Sequence, residues 1–204
     1  MPIKGISSID KIALASLSGS GMIGIPGISA RLFGALSRAK VNIILITQAS
    51  SEHSISFAIA PEDINVAVDA VQEEFAFEVQ TGKINSPRVE TGLSVIALVG
   101  EKMSGQVNVS GKMFNTLGSN GVNLRAIAQG SSERNISAVI EEKDVKKALN
   151  VLHENHFEGS NKVLNLFVVG VGNVGGELVN QIKHQQAILQ ENSNIVVRVA
   201  GLAN

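Results

Sequence analysis

The sequence predicts a mixed α/β chain with two copies of a four-stranded βαββαβ unit, followed by a single strand–helix–strand unit. The first observation behind this prediction is an internal repeat: residues 42–59 (NIILITQASSEHSISFAI) correspond to residues 123–140 (NLRAIAQGSSERNISAVI). The second is that apolar periods of two and of about 3.6 residues alternate within each copy. The third is a glycine-rich turn that follows an apolar strand near residue 170.

The two copies are related by one constant offset of 81 residues. No gap is needed between Ile12 and Phe75. The matched pairs include Met22 with Met103, Gly24 with Gly105, Phe33 with Phe114, Gln48 with Gln129 and Asp63 with Asp144. A duplication of this length at a fixed period indicates two copies of one supersecondary unit. We therefore expect domains at residues 1–82 and 83–160, and a third segment at residues 161–204.

The composition excludes several classes of function. With 44% hydrophobic residues and a formal net charge of −1, the chain can bury cores but has no global field to attract nucleic acid or an anionic membrane. Its apolar runs are far shorter than the roughly 20 residues of a membrane-spanning helix, and its start does not resemble a signal peptide. The absence of cysteine excludes disulfides, thiol nucleophiles and thiolate zinc sites. We expect a cytoplasmic protein.

The first copy begins with a short apolar strand at Ile12–Leu17, which the glycine-rich stretch 19–27 interrupts. Pro26 and Gly27 then precede a helix whose apolar stripe includes Ile28, Leu32 and Leu36. The next strand, Val41–Gln48, is so apolar that it is expected in the interior of a sheet.

The rest of the first copy is predicted from the same two periods. Ser54–Ala60 alternates apolar and small or polar residues, as a third strand does. Pro61, Glu62 and Asp63 open a second helix, and Phe75–Gln80 is expected to form the fourth strand. The order βαββαβ predicts a ferredoxin-like, four-stranded antiparallel sheet with two helices on one face.

The second copy repeats this order after a connector at Thr81–Thr91. Its elements are expected at Leu93–Val99, Ser110–Ser119, Val122–Gln129, Ile136–Ile140 and Lys143–Asn155. Such sheets have open edges, so we expect the copies to pack against each other and the same surfaces to form a homodimer or a higher homo-oligomer.

The third segment does not belong to the repeat. An apolar strand at Val163–Val169 leads into GVGNVG, a helix at Glu177–Gln190 and a second strand at Ile195–Ala200. This is the GxGxxG motif in a strand–turn–helix setting, which brings a backbone close to a pyrophosphate. The candidate cofactor-binding residues are Gly170, Gly172, Asn173, Val174 and Gly175. The alternative is a tight turn that needs positive φ angles, and the acidic residue that binds ribose is missing from the second strand.

The paired segments QASSEHSIS and QGSSERNIS, each preceded by a glycine-rich loop with a methionine, resemble the tandem ACT domains of aspartate kinases. NLFVVGVGNVGGELVNQIKHQQ resembles the start of homoserine dehydrogenase in the bifunctional aspartate kinase–homoserine dehydrogenases. The resemblance covers essentially the whole chain. It implies two ACT domains and a truncated Rossmann unit, with the kinase domain outside this sequence.

This resemblance implies feedback regulation by a pathway amino acid. Threonine is the favoured effector, with lysine or methionine as alternatives, and Gln48 and Gln129 are the implied ligand contacts. The parent enzyme would use ATP and magnesium for the kinase and NAD(P) for the dehydrogenase. We expect this fragment to have no catalytic residues and to bind neither cofactor. An oligomerisation module with vestigial ligand sites remains a third interpretation.

The loop before the first helix of each copy is the second part of the predicted effector site. Backbone groups at a helix N-terminus can hold the carboxylate of an amino acid, while a glutamine amide can both donate and accept. The candidate residues are Met22, Gly24, Ile25, Asn42 and Gln48 in the first copy, and Met103, Gly105, Gln106, Asn123 and Gln129 in the second. Lys102, Val107 and Asn108 replace Gly21, Pro26 and Gly27, so weaker binding is expected in the second copy.

Simpler interpretations accompany several of these residues. Without the family resemblance, Gln48 is equally well explained as a glutamine at the edge of the core. Ser51, Glu52 and His53 could suggest a hydrolytic cluster, but Arg134 replaces the histidine in the second copy, which favours a serine-stabilised turn. His153 and His156 lack a third metal ligand at a suitable spacing. Arg31 is expected to face water.

Overall fold

The structure is a computed structural model that describes residues 3–101, 103–157, 162–193 and 195–203. The chain divides into two compact units, Met1–Leu152 and His153–Asn204. Among the described residues, no helix is both long and apolar enough to cross a membrane.

The first copy has a long first strand and three helices. Its elements are β1 (Gly5–Ser18), α1 (Ile28–Arg38), β2 (Ile43–Gln48), β3 (Ser54–Ile59), α2 (Ile64–Glu74) and α3 (Ala76–Gln80). The apolar stripe of α1 is buried as its spacing predicts, at Ile28, Leu32, Ala35 and Leu36. A short 3₁₀ turn at Pro61–Asp63 precedes α2.

The second copy repeats these elements except for a counterpart of α3 among the described residues, and its opening strand is longer than the predicted Leu93–Val99. Its elements are β4 (Arg88–Val99), α4 (Val109–Ser119), β5 (Ala126–Gln129), β6 (Asn135–Glu141) and α5 (Val145–His156). Only the last four residues of the predicted strand Val122–Gln129 form β5, so that strand is shorter than expected.

Six described strands form one sheet in the order β2-β3-β1-β4-β6-β5. Its two long central strands each serve both copies. The first half of β1 (Gly5–Ile9) pairs with Val95–Val99 of the second copy, while Arg88–Glu90 of β4 pairs with Leu14–Ser16 of the first copy. Each copy thus obtains its fourth strand from an extension of the other copy's first strand. The copies pack against each other, as expected, through this exchange.

The prediction of a fourth strand at Phe75–Gln80 is wrong, because Ala76–Gln80 is helix α3. Phe75 is fully buried, but it extends the buried stripe of Ala67 and Val71 at helical spacing. Phe77 is 68% exposed, so burial does not alternate as it would in a strand of a sheet. The predicted C-terminal boundary of the connector Thr81–Thr91 is also wrong, because its last four residues belong to β4.

The strand at Val41–Gln48 is not in the interior of the sheet, contrary to the prediction. β2 is an outermost strand of the sheet order and pairs only with β3 among the described strands. Its apolar residues are explained by face packing, because Leu45 and Ile44 join a cluster with Ala126 and Ala128 of β5. In addition, the Thr47 hydroxyl donates a hydrogen bond of 2.9 Å to the Ile127 carbonyl.

Two apolar clusters show how the sheet is covered. One lies between the first copy's strands and its helices and includes Leu17, Leu32, Phe57, Val71 and Phe75. The other includes residues of both copies, among them Ile12, Leu14, Leu45, Leu93 and Val139. The two halves of the curved sheet therefore share an apolar layer between them.

The sequence interpretation expected Arg31 to face water. Its side chain is 38% exposed, but it also joins α1 to α2 and α3. Its guanidinium donates to Glu74 Oε1 at 3.0 Å and to Glu78 Oε1 at 2.6 Å, and it lies 4.5 Å from the centre of the Phe75 ring. These hydrogen bonds from Arg31 hold the pKa of both carboxyl groups below the ordinary value of 4.5. The arrangement fixes α1, whose N-terminus lines the cavity described below.

We expect Arg31→Met to lower the free energy of unfolding by about 1–3 kcal/mol at pH 7, because it removes the cation that Glu74 and Glu78 share and leaves Glu74 with Arg38 alone. The pKa values of Glu74 and Glu78 are depressed in the folded state, so their contribution is present above pH 4.5 and is lost as the pH falls below it. Urea unfolding of both proteins should therefore show a stability gap that is constant near pH 7 and shrinks below pH 4.5. A gap independent of pH would contradict this account.

The second compact unit contains a parallel strand pair, β7 (Lys162–Val169) and β8 (Ile195–Ala203), joined through helix α6 (Asn173–Ser193). The three predicted elements of this segment are confirmed, with α6 starting four residues earlier than expected. The unit is thus a single βαβ arrangement.

Candidate functional site

A cavity of about 320 Å³ lies where the glycine-rich loop meets the end of β2. Four predicted residues of the first copy line it together: Met22, Gly24, Ile25 and Gln48. Its other lining residues are Pro26, Gly27, Ile28, Ser29, Glu52 and Ile55. The volume is at the lower end of the range of about 300–1,000 Å³ that is typical of small-molecule sites.

The first turn of α1 forms one wall of this cavity. Gly27 precedes the helix in a left-handed conformation (φ 91°), and no side chain of the described residues caps the helix N-terminus. The first N–H groups of a helix have no partner within it and lie at the positive end of its dipole. Because Ile28 and Ser29 line the cavity, this wall can bind an anionic group.

A carboxylate closes the glycine-rich loop on the side of β3. Glu52 Oε2 accepts a hydrogen bond of 2.9 Å from the Gly24 N–H. Glu52 itself lies in the left-handed region (φ 54°), in a turn closed by its own N–H to the Ala49 carbonyl. The cavity therefore contains a negative group as well as the positive end of a helix.

Gln48 is the last residue of β2 and pairs with Ile55 of β3, which also lines the cavity. Its side chain is exposed, so its amide can reach a ligand without unfolding of the core. Asn42 does not line the cavity, because it precedes the opposite end of β2. Six residues of extended chain separate it from Gln48 by about 20 Å.

The second copy keeps the backbone geometry of this loop. Gly105 has φ 72°, and its N–H donates to Glu133 Oε2 at 2.7 Å, as Gly24 does to Glu52. Asn108 adopts the left-handed conformation (φ 69°) that Gly27 has in the first copy. Asparagine tolerates this conformation better than most residues, so the loss of a glycine here does not change the loop. Lys102 lies outside the described residues.

The other predicted residues of the second copy are placed as follows. Met103 is buried like Met22, and the Gln106 N–H donates to its carbonyl, as the Ile25 N–H does to that of Met22. Gln129 is the exposed last residue of β5. Asn123 lies three residues before the first residue of β5 and is exposed.

Sequence reasoning missed Glu52 as a residue of the site and assigned it to the adjacent turn. The signal was available, because the glutamate is kept in both copies at the same offset as the loop glycine that it contacts. The turn itself is present, since the Glu133 N–H also donates to the Gly130 carbonyl in the second copy. The described residues contain no cluster of three potential metal ligands, and His153 stacks on Phe157.

The glycine motif of the second unit forms the turn from β7 into α6. Gly170 has φ 90°, and Gly172, Asn173 and Val174 lead into the first turn of the helix. A Cβ on Gly175 would lie 1.9 Å from the Gly170 carbonyl oxygen, so only glycine fits. This is the close packing of helix against strand that the third glycine of the motif provides. β8 ends without an acidic residue in its described part.

Comparison with protein families decides the identity of the first unit. Residues 16–75 and residues 96–156 each match the ACT domain family, which together is more than half of the chain.

The chain belongs to the ACT domain family.

Relatives that match the whole chain extend this conclusion. It is 38% identical over 98% of its length to the chloroplastic bifunctional aspartokinase/homoserine dehydrogenase 2 of Arabidopsis thaliana. It is 39% identical over 100% of its length to the bifunctional aspartokinase/homoserine dehydrogenase of Haemophilus influenzae. The chain spans only 22% and 25% of these two proteins. The resemblance inferred from the sequence is confirmed.

Solved structures confirm the fold of the two ACT domains. The regulatory subunit of aspartate kinase from Thermus flavus has a TM-score of 0.66 at 22% identity, over 76% of this chain and 99% of that one. E. coli aspartokinase III in complex with lysine and aspartate has a TM-score of 0.59 at 25% identity, over 76% of this chain and 33% of that one. The ferredoxin-like fold class is therefore correct for both copies.

Proposed function

We propose that this chain is the amino-acid-sensing region of a bifunctional aspartate kinase–homoserine dehydrogenase, with threonine as its effector. The observation that supports this most is the convergence of the α1 N-terminus, Glu52 and Gln48 on one small cavity. A free amino acid presents a carboxylate, an ammonium group and a short side chain. The three features provide an anion site, an acceptor for a cation and a bifunctional amide.

The relatives support the same class of ligand. A solved E. coli aspartokinase III contains lysine, and it shares the fold of this chain. The preference for threonine over lysine or methionine comes from the match over the full chain to bifunctional proteins of the two-enzyme type. The cavity, of about 320 Å³, suits a small effector.

The second unit and the whole enzyme are part of this proposal. Residues 1–82 and 83–160 would be the two ACT domains, and residues 161–204 the start of a dinucleotide-binding domain. Gly170, Gly172 and Gly175 would admit the pyrophosphate of NAD(P), which supplies hydride chemistry in the parent dehydrogenase. ATP and magnesium would serve the parent kinase. The protein would be located in the cytoplasm, whereas the plant relatives are named as chloroplastic.

A homo-oligomer is also part of the proposal, because apolar side chains remain exposed on the outer strands. Ile46 of β2 is 46% exposed and Ile127 of β5 is 41% exposed. An effector can then act by favouring one arrangement of subunits or domains, since it can shift an equilibrium only by binding one state better. A pure oligomerisation module would have the same surfaces but would bind no amino acid.

We expect threonine to raise the melting temperature of this chain and NADPH to leave it unchanged. A ligand that binds only the folded state stabilises it by about 2.7 kcal/mol at a concentration one hundred times its dissociation constant. The first ACT domain contains a cavity lined by candidate effector-binding residues, whereas the second unit has a single βαβ arrangement. Differential scanning fluorimetry with threonine, lysine, methionine and NADPH tests this.

The four ligands separate the competing interpretations in that experiment. A shift with lysine or methionine and none with threonine would change the effector but keep the sensing function. A shift with NADPH alone would favour dinucleotide binding by the second unit over amino-acid sensing by the first. No shift with any amino acid at millimolar concentration would favour the oligomerisation module.

A further inference from the structure

Glu52 and Glu133 make the same contact in the two ACT domains. Each accepts a hydrogen bond from the N–H of the loop glycine, Gly24 or Gly105, at 2.9 Å and 2.7 Å. Each also has a positive φ, of 54° and 50°, which residues with a Cβ rarely adopt. The loops around them differ, since Val107 replaces Pro26, yet the contact is retained. A strained residue kept in both copies indicates a functional constraint.

The hydrogen bond leaves part of the carboxylate available. Oε2 of Glu52 accepts the Gly24 N–H, whereas Oε1 accepts no hydrogen bond from the described residues. Among the described residues that line the cavity, Glu52 is the only one with a charge. The side chain is thus held in place by one oxygen, while the other can still accept a hydrogen bond.

The N–H of the loop glycine is not available to bind the ligand. Because this N–H is bonded to Glu52, the backbone donors that remain for an anion include those of the first turn of α1, beside the Gln48 amide and the Ser29 hydroxyl that also line the cavity. A ligand carboxylate placed there has Glu52 in the same cavity. An α-amino acid carries its ammonium group on the carbon next to its carboxylate, so one molecule can satisfy both walls.

We propose that Glu52, and Glu133 in the second ACT domain, are the residues that select ligands with an ammonium group beside a carboxylate. This inference rests on the proposed function, which concerns the same cavity. It adds the reason why an α-amino acid binds in preference to a hydroxy acid or a keto acid of the same shape.

The test compares threonine with 2,3-dihydroxybutanoate, in which a hydroxyl group replaces the ammonium group. Glu52→Gln and Glu133→Gln keep a carbonyl oxygen that can accept the loop N–H, so the loop is retained while the charge is lost. Glu62→Gln is the matched control, because Glu62 is exposed in the 3₁₀ turn before α2 and does not line the cavity. Calorimetry gives both affinities for the wild type, each variant and the double variant.

We expect the wild type and Glu62→Gln to bind threonine about 10- to 150-fold more tightly than the hydroxy acid, the range for a hydrogen bond to a charged group. In the double variant the affinity for the hydroxy acid should stay unchanged, while the affinity for threonine should fall. The two affinities should then differ by less than about threefold. Melting temperatures without ligand show that the variants are folded.

Three results would overturn the inference. A double variant that keeps the preference of the wild type would show that the glutamates do not recognise the ammonium group. An equal loss of affinity for both ligands would make them purely structural supports of the loop. A wild-type chain that binds neither ligand would overturn the proposed function, and this inference with it.

Discussion

Gly19→Ala should lower the free energy of unfolding of the ACT domain pair by about 3 kcal/mol, the upper part of the range for overpacking a buried site. A Cβ at position 19 would lie 2.4 Å from the Lys83 carbonyl oxygen and 2.6 Å from the Ile84 Cα. Both are backbone atoms, and Ile84 is buried, so the clash cannot be relieved by rotating a side chain. The glycine-rich loop must then move away from the segment on which it rests.

Gly5→Ala provides the control for this prediction. Apart from its two neighbours in the chain, no atom of the described residues lies within 4 Å of a Cβ at position 5, and Gly5 has no positive φ. Its effect should be within about 0.5 kcal/mol of zero, as for most surface substitutions. Urea unfolding followed by circular dichroism measures both variants. Equal midpoints for the two variants would show that the contact of the loop with Lys83 and Ile84 is absent in solution.

Local periodicity was sufficient to predict most elements of the fold. The stripe of α1 and the alternation of β3 were predicted from residues a few positions apart, and both elements lie at their predicted positions. Phe75 shows where this reasoning fails. A buried phenylalanine before a short apolar run fits a strand or the continuation of a helix equally well, and packing against Val71 decides for the helix.

The exchange of strands between the copies could not be predicted from either copy alone. It depends on the pairing of Gly5–Ile9 with Val95–Val99, which are about 90 residues apart in the chain. This exchange joins the two copies in one sheet with β2 and β5 as its outermost strands. An outermost strand can be apolar on both faces when residues of another strand cover it. Leu45 is covered by the apolar layer that includes Ala126 of β5.

Only part of the candidate site could be predicted, because some of its contacts join residues that are distant in the sequence. The glycine-rich loop indicated Met22, Gly24 and Ile25, and the family resemblance indicated Gln48; the fold brings these four residues to one cavity. Asn42 was included because it begins the same strand, but strand length separates it from that cavity. Glu52 was missed because its contact with Gly24 joins residues that are 28 positions apart.

We expect Gln48→Ala to weaken threonine binding by about 10- to 150-fold, because it removes one hydrogen bond to a charged or polar ligand group. The protein should stay folded, since the Gln48 side chain is exposed and the strand pairing with Ile55 uses the backbone. Gln72→Ala is the matched control, because Gln72 is an exposed residue of α2 and does not line the cavity.

Gln129→Ala should also weaken binding, but by a different factor. The second loop has the same backbone conformation as the first, whereas Val107 and Asn108 replace Pro26 and Gly27 and change its surface. Val107 is 93% exposed at this position. If the two variants gave the same affinity and the same number of bound ligands, the two sites would be equivalent, contrary to this expectation.

Isothermal titration calorimetry with threonine tests the central claim most directly, because it measures affinity and the number of bound molecules without an enzyme assay. The wild type, Gln48→Ala, Gln129→Ala and Gln72→Ala should be titrated at one protein concentration and one pH. The account predicts saturable binding to the wild type and Gln72→Ala, with affinity reduced at least tenfold at the mutated site in Gln48→Ala. Binding of the wild type and Gln48→Ala with equal affinity and stoichiometry would contradict it.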